Sequence, residues 1–298
     1  MPALRRVVRG MNIYLAIWSD LTRRHIGIKE DMNLNMYLAE SGAGIKAYIS
    51  GGEQNMDLYL ADSTRMKSSI KTGVYGTKIL QSFYYADEWT ESIIPYCKSF
   101  MLDSGAFTFF TAGKAVNWED YIRRYAQFIT KNNVKLFFEL DIDSLIGYKK
   151  VLEYRAMLES LTGRRCIPVW HKSRGKAEFI KMCKEYDYVA IGGIVSKEFS
   201  KEEHKYFPWF IETAHKHGAK IHGLGYTNLQ GLTKYHFDSV DSSSWTAGNR
   251  FGHVYQFDGK TIVQHKSGSG RRLSDTGEVA RINFDAWAKF SEYAETHL

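Results

Sequence analysis

The sequence has few cysteines and no long apolar run. Its three cysteines lie far apart among 298 residues and form no CxxC pair, so they provide neither a disulfide framework nor half of a zinc site. We therefore expect a reducing compartment, the cytoplasm, or the host cytoplasm if a phage encodes the chain. No segment reaches the roughly eighteen apolar residues of a membrane-spanning helix. No adequate apolar stretch follows the basic opening residues, so we expect no secretory signal.

Motifs of several common enzyme classes are also missing. No GxGxxG or P-loop follows the early strands, which argues against dinucleotide binding. The His-x-His strand end of a metal-dependent hydrolase barrel is absent, because His215 and His217 fall in a predicted helix and are better interpreted as surface residues. No linker divides the chain. We predict a basic leader over residues 1–10, with Met11 as an alternative start, and one domain over residues 11–298.

The charge balance points weakly to a polyanionic partner. The chain has 40 basic and 33 acidic residues, and its net charge is +7. Each phosphate that a basic side chain neutralises releases condensed counterions, which favours binding to nucleic acid. Many basic proteins bind no nucleic acid, however, so charge alone does not decide the partner.

From about Lys78 onward, short apolar runs alternate with amphipathic stretches of helical length. This alternation predicts parallel strands joined by crossover helices, hence a barrel or a doubly wound sheet. The predicted strands are Ile79–Tyr84, Ser99–Leu102, Lys135–Leu140, Cys166–Val169, Tyr188–Ile191, Lys220–Leu224 and Phe237–Val240. The predicted helices are Trp118–Lys131 (capped by Asn117), Ile146–Leu161, Lys176–Tyr186, Lys201–His217 and Leu229–Tyr235.

The two ends of the chain follow a different pattern. The apolar snippets Ile13–Ala16, Met36–Ala39 and Leu58–Ala61 are interpreted as short strands or buried turns rather than as a repeat. After the last predicted strand, two alternating runs flank Asp258-Gly259, which is a hairpin signal. A final helix is predicted from about Phe284.

Unusual residues cluster where the predicted strands end. In a parallel barrel these positions converge on the carboxyl-end face, where barrel enzymes place their active sites. Singly, each residue has a plainer interpretation, because an aspartate after a strand usually caps a helix or turn and a lone histidine is more often structural than catalytic. Their coincidence predicts an active site. The segments are Asp103–Phe107, Asp141–Asp143, Trp170-His171, Gly192-Gly193, Gly223–Gly225 and Asp241–Trp245.

Carboxylates beside a flat apolar slot suit one class of reaction. Paired carboxylates across a sugar can cleave an N-glycosidic bond, one as nucleophile and the other as proton donor or acceptor. Glycine turns let backbone amides approach and grip a planar base, and an aromatic side chain at the mouth can stack on that base. The residues alone therefore predict glycosyl chemistry on a base.

From about Ser99 to Arg250 the chain resembles the tRNA-guanine transglycosylase superfamily. In the first of five matching motifs, Ala106 replaces a glycine and Thr108 replaces a glutamine, and Glu198 lies near the acidic end of the third. Five matches in the right order make the resemblance specific. The matching segments are Asp103–Phe107 (family DSGGFQ), Leu140-Asp141 (the guanine-reading aspartate), Ala190–Val195 (ALGGLAVGE), His222–Gly225 (MGVG) and Phe237–Ser242 (the stretch with the nucleophilic aspartate).

The resemblance implies a role for each matched residue. Asp241 would attack C1′ of the target nucleoside, and Asp103 would be the general acid/base for the outgoing and incoming bases. Asp141 would bind the N1–H and exocyclic amine of the base, a charge-assisted contact, and Phe107 would stack on it. Asp238 is an alternative alignment for the nucleophile, but it falls inside the predicted strand whereas Asp241 sits at its end. The further implied base contacts are Ser104, His171 (in the place of a base-reading glutamine), Gly192, Gly193, Ile194, Gly223, Leu224 and Gly225.

Departures from the family pattern matter as well. Zinc-containing members carry a CxCxxC…H cluster after the nucleophile, whereas this chain has no cysteine after Cys183. We therefore expect no zinc, and no cofactor apart from a 7-deazaguanine base as co-substrate. A barrel without the zinc subdomain resembles the DpdA-like phage and bacterial branch, which exchanges guanine in DNA for a 7-deazaguanine such as preQ0. Candidate contacts to the nucleic-acid backbone are Lys172, Arg174, Arg250, Arg271 and Arg272.

The leading hypothesis is thus a single-domain α/β protein, a TIM-like (β/α)8 barrel with short insertions and a C-terminal hairpin plus helix. It would act as a DNA guanine transglycosylase, a pentosyltransferase with a covalent aspartyl-glycosyl intermediate. Two alternatives stay open: a tRNA-guanine transglycosylase reduced to its barrel, and a non-catalytic accessory barrel that binds nucleic acid or an active subunit. The expected partners are DNA (or tRNA) and the free base, and no membrane. The oligomeric state stays open, a homodimer being one option.

Overall fold

Nine strands form one parallel sheet in the part of the chain that the structure describes. The computed structural model describes residues 12–16, 36–40, 77–97, 99–106, 108–109, 116–226, 228–232, 234–242, 253–266, 282–283, 286–287, 289–290, 293–294 and 297. The strands are β1 (Asn12–Ala16), β2 (Met36–Glu40), β3 (Thr77–Ser82), β4 (Ser99–Asp103), β5 (Leu136–Phe137), β6 (Val169–Trp170), β7 (Tyr188–Ile191), β8 (Lys220–Gly223) and β9 (Ser239–Ser242). Their spatial order is β5-β4-β3-β2-β1-β9-β8-β7-β6. The predicted α/β class with parallel strands is confirmed.

The two ends of this strand order meet through the backbone. Just after β5, Phe138 forms a parallel bridge with Ile167, which lies just before β6. The Ile167 amide donates to the Phe137 carbonyl (2.7 Å), and the Glu139 amide donates to the Ile167 carbonyl (3.0 Å). At these positions the backbones of the two terminal strands are paired with each other rather than left open.

Helices alternate with the strands. The predicted helix Trp118–Lys131 is confirmed: the Asn117 side chain caps it by accepting from the Asp120 amide (3.2 Å). Its buried residues recur with helical spacing, so one stripe packs on the sheet. The helices are α1 (Glu88–Ile93), α2 (Trp118–Lys131), α3 (Asp143–Ile146), α4 (Tyr148–Thr162), α5 (Gly175–Glu185), α6 (Phe207–Lys216) and α7 (Leu229–Leu232).

The sheet separates two apolar layers, because successive side chains of a strand point to opposite faces. The larger layer lies between the sheet and the helices and includes Ile79, Leu102 and Val189. The smaller cluster marks what we call the inner face. Asp103 lies two residues after Met101, and Gly192 lies two residues after Ala190. Both therefore lie on the inner face, at the carboxyl ends of their strands. The inner-face cluster contains Leu80, Met101, Phe138, Ile167, Val169 and Ala190.

Some boundaries differ from prediction for local reasons. The helix predicted over Ile146–Leu161 is α4 (Tyr148–Thr162), which begins two residues later because Gly147 adopts φ +79° and separates it from the short α3. The helix predicted to begin at Lys201 starts as a 3-10 turn, and α6 begins only at Phe207, with a proline in its first turn where the missing amide is harmless. The last strand of the sheet runs two residues later than predicted, so Asp238 precedes β9 and Asp241 lies within it.

The predicted C-terminal hairpin is confirmed. Strands β10 (His253–Phe257) and β11 (Ile262–Lys266) pair antiparallel. Asp258 shapes the turn, since its carboxylate accepts from the amides of Lys260 (2.9 Å) and Thr261 (2.8 Å). Among the described helices, none combines the length and apolar character that crossing a bilayer requires.

Candidate active site

Three aspartates converge at the carboxyl ends of the parallel strands. Asp103 ends β4, Asp141 follows the segment that extends β5, and Asp241 lies in β9. The charges of Asp141 and Asp241 both raise the pKa of Asp103, so the three carboxylates lie within electrostatic reach of one another. The structure therefore brings together the three carboxylates that the sequence predicts as a site.

Asp103 is suited to carry a proton. Burial raises its pKa to about 7, and the charges of Asp141 and Asp241 add to the effect against the opposing hydrogen bond from the Gly105 amide to Oδ2 (2.9 Å). The neighbouring Ser104 is buried, and its carbonyl accepts a hydrogen bond from the Tyr121 hydroxyl. A carboxyl group with a pKa near 7 both gives and takes a proton at neutral pH.

Asp241 is held through one oxygen only. Its Oδ1 accepts from the Gly225 amide and lies 3.2 Å from Nε2 of His222. In the described part of the chain, no group hydrogen-bonds to its Oδ2. Gly225 adopts φ +71°, and a Cβ there would overlap the Val195 side chain, so glycine is needed to deliver this amide. Asp241 is thus oriented with one oxygen left for chemistry.

Asp238, the alternative nucleophile, binds groups at the opposite, amino-terminal end of the strands. Its Oδ2 accepts from the Ile221 amide (2.9 Å) and lies 2.8 Å from Nε2 of His215. His215 is therefore a partly buried partner of this carboxylate rather than the plain surface residue that the sequence suggests. The geometry favours Asp241 over Asp238 as the residue that faces Asp103.

His171 lies between two acidic side chains. Its Nε2 contacts Oδ1 of Asp141, and its Nδ1 lies 3.0 Å from Oε1 of Glu198. Burial lowers the pKa of His171, but the hydrogen bond and charge of Asp141, with the charges of Asp143 and Glu198, outweigh burial and raise it to about 9. His171 is therefore cationic at neutral pH. A Cβ on Gly192 would lie 2.7 Å from the imidazole, so glycine makes room for the ring.

The two glycine turns predicted to hold a base lie on adjacent strands. Gly192 and Gly193 follow β7, and Gly223 ends β8 opposite Ile191. The Leu224 amide donates to the Ile191 carbonyl (3.1 Å), and its side chain packs on the inner-face cluster. The Ile194 side chain instead packs against the helix-side core. The backbone of both turns therefore lies beside the aspartates.

A buried ionic cluster underlies the site, and sequence reasoning missed it. Glu139 is fully buried and accepts from Nε of Arg155 (2.6 Å), Nη1 of Arg174 (2.9 Å) and the Val169 amide (2.8 Å). Burial raises the pKa of Asp143, but its hydrogen bonds to Arg174 outweigh burial and lower it. The available signal was an acidic residue inside the apolar run Leu-Phe-Phe-Glu-Leu, since a buried glutamate must be paired.

Arg174 differs from the sequence expectation. Its side chain is 1% exposed, and Nε and Nη2 bond both oxygens of Asp143 at 2.6 and 2.9 Å while Nη1 bonds Glu139. A phosphate could be reached only by breaking these buried ion pairs, which is costly. We therefore correct the expectation: Arg174 supports the site instead of contacting a nucleic-acid backbone.

The remaining predicted contacts divide into two groups. Lys172 is half-exposed and paired with Glu203, so its ammonium group stays accessible to solvent beside His171. Phe107, the predicted stacking residue, lies outside the described residues. The other three predicted phosphate contacts, Arg250, Arg271 and Arg272, also lie outside them.

One group of side chains has the spacing of metal ligands. Asp141, Asp143 and His171 each offer a ligand atom, and these atoms lie within 4.8 Å of one another. Arg174 already bonds both oxygens of Asp143, and His171 is cationic, so a divalent ion would have to displace a guanidinium group and an imidazole proton. The donors therefore fit an ion poorly, and the absence of a metal stays a prediction.

Comparison with known proteins adds little about activity. No family model matches the chain. It is 28% identical over 166 residues to Uncharacterized protein 306 of Sulfolobus islandicus rod-shaped virus 1, an alignment that covers 53% of each chain, so this chain spans about half the length of that relative. It is 12% identical to the carboxyl transferase domain from Rhizobium etli pyruvate carboxylase with pyruvate, covering 98% of this chain and 50% of that one with a TM-score of 0.44. Neither likeness assigns a family.

Proposed function

We propose that the protein is a guanine transglycosylase that exchanges guanine in DNA for a 7-deazaguanine base. The observation that carries the proposal is the placement of Asp103 and Asp241 toward the carboxyl ends of their strands, within electrostatic reach of each other. Asp103 has a pKa of about 7, and Asp241 is oriented through Oδ1 with Oδ2 unbonded. An acid/base beside an oriented carboxylate is what glycosyl transfer through a covalent intermediate requires.

A closed barrel would account for this convergence. The bridge between Phe138 and Ile167 links the two ends of the strand order. The inner-face cluster contains side chains of β3, β4, β6 and β7, together with those of the two bridged residues. Both observations support a single-domain (β/α) barrel to which the hairpin is an addition. In such a barrel the carboxyl-end mouth holds the reacting groups.

In the first half-reaction, Oδ2 of Asp241 attacks C1′ of the target nucleotide. The C1′–N9 bond breaks, and guanine departs with the bonding electron pair. Asp103 gives its proton to the departing base, so the base leaves neutral. The sugar is then esterified to Asp241, and the nucleic-acid backbone stays intact.

The second half-reaction reverses these steps with a different base. The incoming 7-deazaguanine gives the proton on N9 to Asp103, and N9 attacks C1′ and displaces the Asp241 carboxylate. Asp103 regains the proton that it gave away, so no net acid or base is consumed. A pKa of about 7 lets one carboxyl group act in both directions.

Asp141 and His171 would divide the recognition of the base. His171 holds Oδ1 of Asp141, whereas Oδ2 has no hydrogen-bond partner among the described residues. That oxygen can accept from the N1–H and exocyclic amine of guanine, as the family resemblance implies. We therefore assign His171 to orienting Asp141, with the glycine turns after β7 and β8 supplying backbone contacts to the ring.

The polymer must deliver its base into the mouth. Both C1′ and the guanine edge are shielded while the base is stacked, so the nucleotide must flip out at a cost of a few kcal/mol. Contacts to flanking phosphates can offset this cost, and the net charge of +7 favours them. Lys172 is half-exposed beside His171, and in this proposal it makes such a contact after releasing Glu203.

Labelled base tests the proposal directly. Protein is incubated with labelled preQ0 and either duplex DNA or tRNA, and the polymer is then digested to nucleosides. We expect label in a deoxynucleoside with wild-type protein and none with Asp241→Asn. Label in tRNA alone would move the activity to the tRNA alternative. No label in either polymer would overturn the proposed function.

A further inference from the structure

A chain of hydrogen bonds runs behind Asp241. The Tyr188 hydroxyl contacts Oγ of Ser239, Oγ lies 2.6 Å from Nδ1 of His222, and Nε2 of His222 lies 3.2 Å from Oδ1 of Asp241. The four residues come from three adjacent strands, β7, β8 and β9. Ser239 and His222 are fully buried, and the His222 ring packs on Phe138 with ring centroids 5.3 Å apart.

The carboxylate at one end fixes the direction of every bond. Oδ1 of ionised Asp241 can only accept, so Nε2 of His222 must carry a proton. Nδ1 of a neutral imidazole then accepts, and the Ser239 hydroxyl donates to it. Ser239 has one proton to give, so the Tyr188 hydroxyl must donate to Ser239. One assignment of protons satisfies all three contacts.

The imidazole in this chain is neutral. Burial lowers the pKa of His222 by more than the hydrogen bond and charge of Asp241 raise it. His171, in contact with Asp141, has the opposite balance and a pKa of about 9. The two histidines therefore treat their aspartates differently: His171 neutralises Asp141, whereas His222 donates a hydrogen bond to Asp241 without cancelling its charge.

We propose that His222 is a positioning residue for the nucleophile, locked by Ser239 and Tyr188 as the Nε2–H tautomer so that it holds Oδ1 of Asp241 and leaves Oδ2 turned toward the sugar. An uncharged donor suits this task, because a cation in its place would stabilise the ground-state carboxylate and weaken its attack on C1′. The assignment of Asp241 as the attacking group rests on the proposed function. The tautomer of His222 rests on the hydrogen bonds alone.

Kinetics on two matched variants tests the role. His222→Leu removes the donor while keeping an apolar side chain of moderate size, and His222→Gln replaces it with another N–H donor. We expect His222→Leu to lower kcat for base exchange about 10²-fold, the effect of a nucleophile misplaced by about 1 Å, with the KM for free base unchanged. His222→Gln should restore most of the rate. Equal losses in both variants, or wild-type kcat in His222→Leu, would overturn the inference.

Nitrogen-15 NMR of histidine-labelled protein tests the lock without any activity. We expect one histidine, assigned by its loss in His222→Gln, to be neutral at pH 7 with the proton on Nε2, and to titrate at a lower pH than an ordinary histidine. In Ser239→Ala the preference for this tautomer should weaken. A proton on Nδ1, or ordinary titration, would overturn the inference. The expected tautomer in a protein that exchanges no base would instead support the lock and reject the proposed function.

Discussion

Two buried polar networks lie near the carboxyl ends of the strands and hold their carboxylates in opposite ways. Glu139 is paired with two arginines, Arg155 and Arg174, so its charge is cancelled. Asp241 is held by a neutral imidazole and a backbone amide, so it is oriented and its charge is kept. The comparison teaches that buried ion pairs belong to the scaffold of this site. The carboxylate that we propose as the nucleophile is the one that neutral donors hold.

The largest effect is expected when Asp241, at the end of the hydrogen-bond chain through neutral His222, is substituted. Asp241→Asn keeps the shape and the hydrogen-bond acceptor but removes the attacking charge, so base exchange should fall by roughly 10⁴-fold or more and the denaturant-resistant adduct with DNA should disappear. Denaturing gel electrophoresis measures the adduct. Asp238→Asn, the same change three residues earlier, should still form it. An active Asp241→Asn protein beside an inactive Asp238→Asn protein would reverse the assignment.

A substitution in the ionic cluster should lower the stability of the protein rather than act on a reacting group. Glu139→Gln leaves two buried arginines without their shared counter-charge, so we expect a loss of about 3–5 kcal/mol in the free energy of unfolding, measured by urea denaturation. Glu153→Gln is the matched control, because Glu153 is paired with Lys150 at 2.8 Å on the surface and should change stability immeasurably. Equal stability of the two variants would show that the cluster is dispensable.

His171 places a cation inside the site, and its titration should be visible in stability. Its folded-state pKa of about 9 exceeds the ordinary 6.5, so the folded protein holds this proton more tightly than the unfolded chain. The contribution is full below pH 6.5 and is lost as the pH rises through 9, which predicts a fall of roughly 1–3 kcal/mol in unfolding free energy.

Denaturation curves across that range measure the fall, which should shrink in His171→Gln. The raised pKa of Asp103 acts at lower pH, since it makes stability decline between the ordinary 3.8 and about 7. The window between about pH 7 and 9 therefore separates His171 from Asp103, and it lies below the range in which the raised pKa values of Cys166 and Cys183 affect stability. An equal fall in wild type and His171→Gln would remove His171 as its source.

The smallest effect concerns Lys172, the exposed neighbour of the buried Arg174. Lys172→Gln should lower the slope of log affinity for DNA against log salt by about one unit, the loss of one phosphate contact. Its unfolding free energy should stay unchanged, because the pair with Glu203 is exposed. Fluorescence anisotropy over a salt series measures the slope. An unaltered slope would mean that Lys172 faces away from the DNA.

The sequence predicts the helices and strands well where local signals agree. Trp118–Lys131 and Tyr188–Ile191 have the predicted bounds, because a helix cap or an apolar run marks each. The strand predicted over Cys166–Val169 is shifted to Val169–Trp170. There the Cys166 amide donates to the Glu159 side chain (3.1 Å), and Pro168 has no amide proton for a ladder. The proline is visible in the sequence, whereas the contact with Glu159 depends on a neighbour that periodicity does not reveal.

The candidate site likewise has a part that the sequence predicts and a part that it does not. Strand-end positions were sufficient to predict Asp103, Asp141 and Asp241, because parallel strands bring their carboxyl ends together. The chain behind Asp241 depends on register, in which His222 stands directly opposite Ser239. Alternation of apolar residues gives the face of a side chain but not its cross-strand partner. The partners in these networks therefore could not be predicted, although the three aspartates could, as could the need of Glu139 for some partner.

Strand order also determines when the candidate site is completed during synthesis of the chain. β9 lies between β8 and β1, and Asp241 stands opposite Tyr14 of β1. Chains emerge from the ribosome from the amino terminus onward, so β1 is synthesised long before β9, the strand that pairs with it. Until that late docking, a nascent chain carries Asp103 without Asp241, the proposed nucleophile. Under the proposed function, prematurely terminated products that lack β9 would therefore form no covalent adduct with nucleic acid.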